Sequence, residues 1–169
     1  MGRRNLKGLL FDFDGLILDT ETTIFQAWSE KFAEHGQELH LEAWGQILGK
    51  SGDELGPLEG FLEQFPDQAA RDKVQKDVSS REHELVLKQK PLPGVIELIT
   101  AASKAGLKMG IVSSSDQKWV HTHLERLKLM KYFDHTSCAD DVKEAKPNPE
   151  LYQLGISKTG LAPDQIVVL

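Results

Sequence analysis

Cysteine is almost missing from this sequence. Cys138 is the one thiol in 169 residues, so no internal disulfide can form, and a reducing, cytoplasmic setting is expected. Basic blocks are missing too. Lysine and arginine number 20 against 26 aspartates and glutamates, a net charge of -6, with the acidic residues spread along the chain. That balance argues against nucleic acid or an anionic membrane as the main partner. No apolar run reaches membrane-spanning length. The opening Met1-Gly2-Arg3-Arg4, followed by the apolar stretch from Leu9 to Leu18, superficially resembles a signal peptide, but Asp12 and Asp14 interrupt it. Leu6 stands where N-myristoylation requires Ser or Thr. Repeats and low-complexity segments are absent. A soluble chain follows, a monomer or an oligomer of undefined size.

What is present is enough apolar residue, 40% of the chain, to bury a real core. The run from Leu6 to Phe13 reads as a short buried strand of a parallel sheet. From Thr22 to Lys90 the pattern is helical, with Ile24, Phe25, Trp28 and Phe32 on one face and Val74, Val78 and Leu85 on a later one. Beyond Pro91-Leu92-Pro93-Gly94 the pattern alternates. Helices are expected over 95–105, 117–127 and 149–159, and strands over 107–112, near Ser137 and over 166–169. Strands alternating with helices predict a parallel sheet covered on both faces. The first strand belongs to that sheet, so the helical stretch is an insertion. The expected architecture is α/β, with residues 1–18 and 91–169 as a Rossmann-like core and 19–90 as a helical insertion.

Three local patterns carry possible chemistry. Asp12 and Asp14 stand two apart at a strand end, where alternation puts both on one side. Close carboxylates repel unless a cation relieves them, and magnesium suits a few carboxylates plus waters. Asp14-Gly15 between Phe13 and Leu16 also reads as a two-residue hairpin turn. The second pattern is Ser113-Ser114-Ser115-Asp116 after the strand ending at Val112. Its hydroxyls and free amides at a helix start suit a phosphate, and equally suit plain capping by Ser115 or Asp116. The third is Lys146-Pro147-Asn148-Pro149, in which Asn148 caps a helix opened by Pro149 and Lys146 is either a functional cation or a solvated one.

Taken in order, Asp12-x-Asp14-Gly15, then Ser113, then Lys146-Pro147, the patterns resemble the first three motifs of the haloacid dehalogenase-like hydrolase superfamily. Asp19-Thr20-Glu21 and Asp140-Asp141-Val142-Lys143 extend the resemblance to the branch containing sugar-phosphate phosphatases and beta-phosphoglucomutases, whose helical cap follows the first motif. The resemblance implies that Asp12 attacks phosphorus to form an aspartyl-phosphate. Asp14 would protonate the leaving oxygen and then activate water. Ser113, the Ser114 amide and Lys146 would hold the phosphoryl oxygens, and Mg2+ would bind Asp12 and the Asp14 carbonyl. Gly15, Glu21 and Lys50, the last in the cap segment Gly49-Lys50-Ser51-Gly52, would contact the substrate, a small phosphorylated metabolite. Dehalogenases and phosphonate-cleaving relatives replace the second aspartate, so Asp14 counts against both.

Two departures from the family pattern shape the expectation. The fourth motif, an acidic pair, would follow Ile166–Leu169. The chain stops there, so the C-terminal part of the core is expected to be missing, with weak magnesium binding and slow turnover. Where the mutases place a histidine on the first cap helix this chain has Ile24, which favours a phosphatase over a mutase. A non-catalytic relative that binds a phospholigand or partner is the alternative of a different class. His121 and His123, two apart on an expected helix, point to different faces and are not a metal pair. Trp28, Trp44 and Trp119 are expected to be packing residues.

Overall fold

The computed structural model describes residues 6–45 and 56–169. Met1–Asp19 together with Gln89–Leu169 form one compact unit, and Thr20–Lys88 form another. Among the described residues the first unit holds strands β1 (Gly8–Phe11), β2 (Lys108–Val112), β3 (His135–Ser137) and β4 (Ile166–Val168). The strands make one parallel sheet in the order β3-β2-β1-β4. This is the α/β sheet expected from the sequence. β1, β2 and β4 run a residue or more shorter than the apolar runs, although flanking residues still bond across the sheet, as the Lys108 amide does to the Lys7 carbonyl at 2.9 Å.

The order fixes where a site can lie. The chain steps from β1 to β2 to β3 in one direction and then returns past β1 to β4, so the sheet has its switch point between β1 and β4. In open α/β sheets, ligands bind beyond the carboxyl ends of the strands at that point. Here the residue beyond β1 is Asp12. Its amide donates to the Leu169 carbonyl at 3.2 Å, while the Leu169 amide donates to the Leu10 carbonyl at 2.9 Å, so the β1–β4 ladder runs right up to the first aspartate.

Among the described residues, the α-helices of this unit are α5 (Val95–Lys104), α6 (Gln117–Arg126) and α7 (Glu150–Thr159). Right-handed crossovers running in opposite directions place α5 and α7 on opposite faces of the sheet. On the α7 face, Leu10, Val112 and Leu151 form a fully buried cluster. Gly155 makes that approach possible, since a Cβ there would lie 2.6 Å from a Val112 methyl. Asp116 caps α6 by accepting the Trp119 amide at 2.7 Å. The Asn148 side chain accepts the Glu150 amide at 2.9 Å, but Pro149, not Asn148, occupies the N-cap position of α7.

The Thr20–Lys88 unit holds α1 (Thr20–Glu34), α2 (Leu41–Gly45), α3 (Pro57–Leu62) and α4 (Gln68–Lys88). Its core gathers Ala27, Trp28 and Phe32 from α1, Trp44 from α2, Phe61 from α3, and Val74 and Val78 from α4. Phe61 is the hub: its ring stacks on Phe32 at 4.1 Å and meets Trp28, His35 and Phe65 edge-on. Across α1 and α4, the Arg81 guanidinium grips Glu30 through Nε at 2.6 Å and Nη2 at 3.2 Å, which holds the Glu30 carboxyl below its usual range. Truncating the hub, Phe61→Ala, is expected to destabilise this unit by about 3–5 kcal/mol through lost burial and a residual cavity. Urea unfolding followed by tryptophan fluorescence, to which Trp28 and Trp44 of this core contribute, measures it.

Candidate active site

The loop after β1 is not a hairpin. The Leu16, Ile17 and Leu18 amides all turn back on the Phe13 carbonyl, at 3.4, 2.8 and 3.3 Å, and the Gly15 amide donates to the Leu18 carbonyl at 2.8 Å. Gly15 takes φ 73°, a left-handed conformation that glycine adopts without a Cβ penalty. Phe13, Ile17 and Leu18 are fully buried, and their burial pins the turn. Tertiary burial therefore overrides the local turn signal. Phe13 points inward between two half-buried carboxylates, Asp12 and Asp14.

Each carboxylate has its own set of partners. Asp12 Oδ1 accepts the Phe13 amide at 2.7 Å and pairs with Lys146 Nζ at 2.8 Å. Lys146 lies 5.4 Å from the centroid of the Tyr152 ring on α7, so the loop before α7 brings its ammonium to the end of β1. Asp14 is turned towards α6. Its Oδ2 accepts the Ser115 hydroxyl at 2.6 Å and the Ser113 hydroxyl at 3.3 Å, and its Oδ1 accepts Trp119 Nε1 at 3.0 Å.

Ser113 is fully buried, directly after β2. Its amide goes to the Ser137 carbonyl and its hydroxyl accepts the Ser115 amide at 3.0 Å. The Ser114 amide takes no partner among the described residues. Ser115, weighed as a cap, gives its hydroxyl to Asp14 instead, and Asp116 does the capping.

The fold thus brings Asp12 to Lys146 and Asp14 to Ser113, two pairs joined through Phe13. Gly15 is exposed in the turn. Glu21 stands exposed in the first turn of α1, in the other unit, and Lys50 lies outside the described residues. Trp119, expected to be a packing residue, does set its ring against His123. Its indole N–H reaches Asp14, and the signal that could have found it is its place one turn into a helix that starts beside Ser113. His121 and His123 diverge: His121 Nε2 lies 2.8 Å from the Thr136 hydroxyl, whereas His123 is buried against Phe13 and Trp119.

Asp140 and Asp141 brace the serine loop from below. Asp140 accepts the Gln117 amide at 3.0 Å, and Asp141 accepts Gln117 Nε2 at 2.9 Å and the Cys138 amide at 3.0 Å. Burial pushes the Asp141 carboxyl up, but the Cys138 amide and Lys158 outweigh it and hold the group below its usual range. The same environment acts oppositely on the thiol. Burial first, then the charges of Asp141 and Asp140, push Cys138 up to about 11. At pH 8 the native thiol should therefore react with iodoacetamide on the order of 100-fold more slowly than in the urea-unfolded chain, since two pH units separate it from an ordinary thiol. Mass spectrometry of the time course checks this.

Residues 9–169 match the family model for haloacid dehalogenase-like hydrolases. The chain belongs to the haloacid dehalogenase-like hydrolase family. Within the family it is 41% identical over 158 residues to Bacillus subtilis YhcW, provisionally named a phosphatase, covering 94% of this chain and 71% of that one. It is 31% identical to the Escherichia coli fructose-1-phosphate phosphatase YqaB over 164 residues, 95% of this chain and 84% of that one. A Thermotoga maritima crystal structure carrying a provisional beta-phosphoglucomutase name superposes with a TM-score of 0.78 at 27% identity, covering 96% of this chain and 75% of that one. Among the described residues, no helix is long and apolar enough to cross a membrane.

Proposed function

We propose that this hydrolase is a magnesium-dependent phosphatase of small phosphomonoesters, sugar or polyol phosphates, working through an aspartyl-phosphate on Asp12. The observation that carries the reading is the Asp12–Lys146 pair at 2.8 Å, set at the switch point of the sheet with a second carboxylate two residues on. A nucleophilic carboxylate must meet a phosphate dianion that it repels. A cation at its shoulder offsets that repulsion and stays to hold the transferring oxygens.

The steps follow from the residues. A carboxylate oxygen of Asp12 attacks phosphorus in line, and the bond from phosphorus to the ester oxygen breaks. The Phe13 amide and Lys146 both contact Oδ1, so Oδ2 is the oxygen assigned to attack. The departing oxygen takes a proton from the Asp14 carboxyl. Asp14, now a carboxylate, accepts a proton from a water that attacks the aspartyl-phosphate and frees inorganic phosphate and Asp12. The unpartnered Ser114 amide and Lys146 are the groups assigned to the phosphoryl oxygens.

The donor chemistry fits magnesium. No cluster of three or more His, Cys, Asp or Glu side chains is arranged for a metal among the described residues. Magnesium is commonly held by one or two carboxylates, with waters and substrate phosphate filling its shell. Asp12 and the Asp14 carbonyl would hold the ion, and it would neutralise charge on the phosphoryl group.

The substrate class rests on relatives such as the fructose-1-phosphate phosphatase and the phosphorylated carbohydrates phosphatase of Thermotoga maritima, the latter 29% identical. The Thr20–Lys88 unit is assigned the role of cap and substrate selector, with Glu21 and Lys50 as its candidate contacts. A panel of sugar and polyol phosphates, assayed for released phosphate and for isomeric sugar phosphate with and without EDTA, tests the proposal. Phosphate release that EDTA abolishes is expected. Isomer formation without phosphate release would convert the reading to a mutase, a reading that Ile24, packed against its own unit's core, does not favour. Metal-independent turnover would remove magnesium from it.

A further inference from the structure

Trp119 stands where packing alone does not require a polar atom. Its indole Nε1 is a donor and never an acceptor, and it is aimed at Asp14 Oδ1 at 3.0 Å. A serine hydroxyl can donate or accept as its partner changes protonation, but indole cannot. Trp119 therefore specifies an accepting oxygen on Asp14 and fixes the direction of its carboxyl plane.

The ring is itself held. Its amide caps into Asp116 at 2.7 Å, and its face meets the His123 ring edge-on at 4.4 Å. His123 is fully buried, lies against Phe13 with ring centroids 6.3 Å apart, and accepts Arg126 Nε at Nδ1 at 3.4 Å. Arg126 in turn donates to the Gln89 carbonyl at 3.0 Å. Phe13 is the residue between the two aspartates, so one contiguous set of side chains supports both the turn that carries Asp14 and the indole that orients it.

We infer that Trp119 is a positioning residue for Asp14, holding its carboxyl through Nε1 so that proton transfer to the leaving oxygen and from water depends on the indole N–H. The inference rests on the hydrolase reading above and adds a residue to it. The Ser115 hydroxyl is the second anchor, and it binds the other carboxyl oxygen. With both oxygens held, the carboxyl cannot rotate freely. A group that must exchange a proton in a single geometry gains rate from that restraint.

Trp119→Phe tests this, because it keeps an aromatic ring against His123 and removes only the donor. The readout is a leaving-group split. p-Nitrophenolate leaves with little need of a proton, whereas a hexitol leaving from its phosphate needs one. In Trp119→Phe, kcat/KM for a hexitol phosphate should fall about 10- to 100-fold, a large part of a general acid's usual effect. The fall with p-nitrophenyl phosphate should be smaller by about tenfold, and KM should move little in either case. Equal losses on the two substrates, or none on the hexitol phosphate, would overturn the assignment, since a merely structural role lowers both alike.

A second measurement is independent of turnover and of how well Trp119→Phe folds. The Trp119 indole N–H resonance of the wild-type chain, identified as the signal that a Trp119→Phe sample lacks, or by selective labelling if that variant does not fold, should move clearly in Asp14→Ala. A signal that stays in place overturns the link between the two residues. If the wild-type chain hydrolyses neither phosphate, the hydrolase reading fails by itself and the resonance alone decides whether Trp119 holds Asp14.

Discussion

Asp12→Asn is expected to lower phosphate release by at least about a thousandfold, because a carboxamide is not a nucleophile toward phosphorus and no other group takes over the covalent step. The substitution is close to isosteric. Asn keeps an oxygen able to accept the Phe13 amide, the 2.7 Å contact that shapes the turn, and the buried Phe13, Ile17 and Leu18 that pin the loop are untouched. The Asp12–Lys146 pair is lost, but with the Asp12 side chain 38% and the Lys146 side chain 17% exposed both charges keep contact with water, and a solvated pair of this kind contributes about 1 kcal/mol. Midpoint and slope in urea should stay near those of the wild type, so loss of activity cannot be ascribed to unfolding. Acid-quenched wild-type protein should carry a phosphoryl adduct on the peptide containing Asp12, and the variant should carry none. Turnover within tenfold of the wild type would remove Asp12 from the nucleophile role, and an adduct on another residue would name its replacement.

How much of this could be read from the chain depended on the range of the interaction involved. The sheet of the first unit was legible because β1, β2 and β4 are apolar runs with their own boundaries, the mark of strands in a parallel sheet, whereas the polar β3 showed only through the alternation of helix and strand. The positions of Asp12 and Ser113 directly after strands followed from those boundaries, and that of Lys146, in the loop before α7, from the helix start at Pro149. Their pairing did not. Nothing in the spacing shows that Asp12 meets Lys146 whereas Asp14 turns away towards Ser115 and Trp119; that is decided by how the loop after Phe13 folds over its own buried residues. The hairpin alternative failed for the same reason. Asp14-Gly15 is a good local turn signal, but Phe13, Ile17 and Leu18 all seek the core, and a two-residue hairpin would have turned part of that set outward. An aromatic on a helix face reads as packing, and the Trp119 ring does pack, on His123. The indole N–H is what composition and periodicity do not report.

Lys146→Met is expected to cost about 100- to 1,000-fold in kcat/KM, the range found when one preorganised group facing developing charge is removed. Methionine keeps much of the aliphatic stem while deleting the ammonium, so the loss reports mainly on the charge. Two effects combine. Without Lys146 the approaching phosphate meets the uncompensated Asp12 carboxylate, which should appear as a raised KM. The phosphoryl oxygens also lose a cation as the bond to the leaving group breaks, which should appear as a lowered kcat. Lys146→Arg separates charge from geometry. A guanidinium is a planar fork and not a compact point charge, and it must fit where an ammonium now sits 2.8 Å from Asp12 and 5.4 Å from the Tyr152 centroid. It should restore much of the KM and little of the kcat. If Lys146→Met retained kcat/KM within threefold, the ion pair would be a structural contact only, and the positive end of the site would have to be sought at the Ser114 amide. If Arg restored both parameters in full, bulk charge rather than the position of the ammonium would be what the reaction requires. The split between the two parameters is therefore the measurement that tells a phosphoryl clamp from a surface salt bridge.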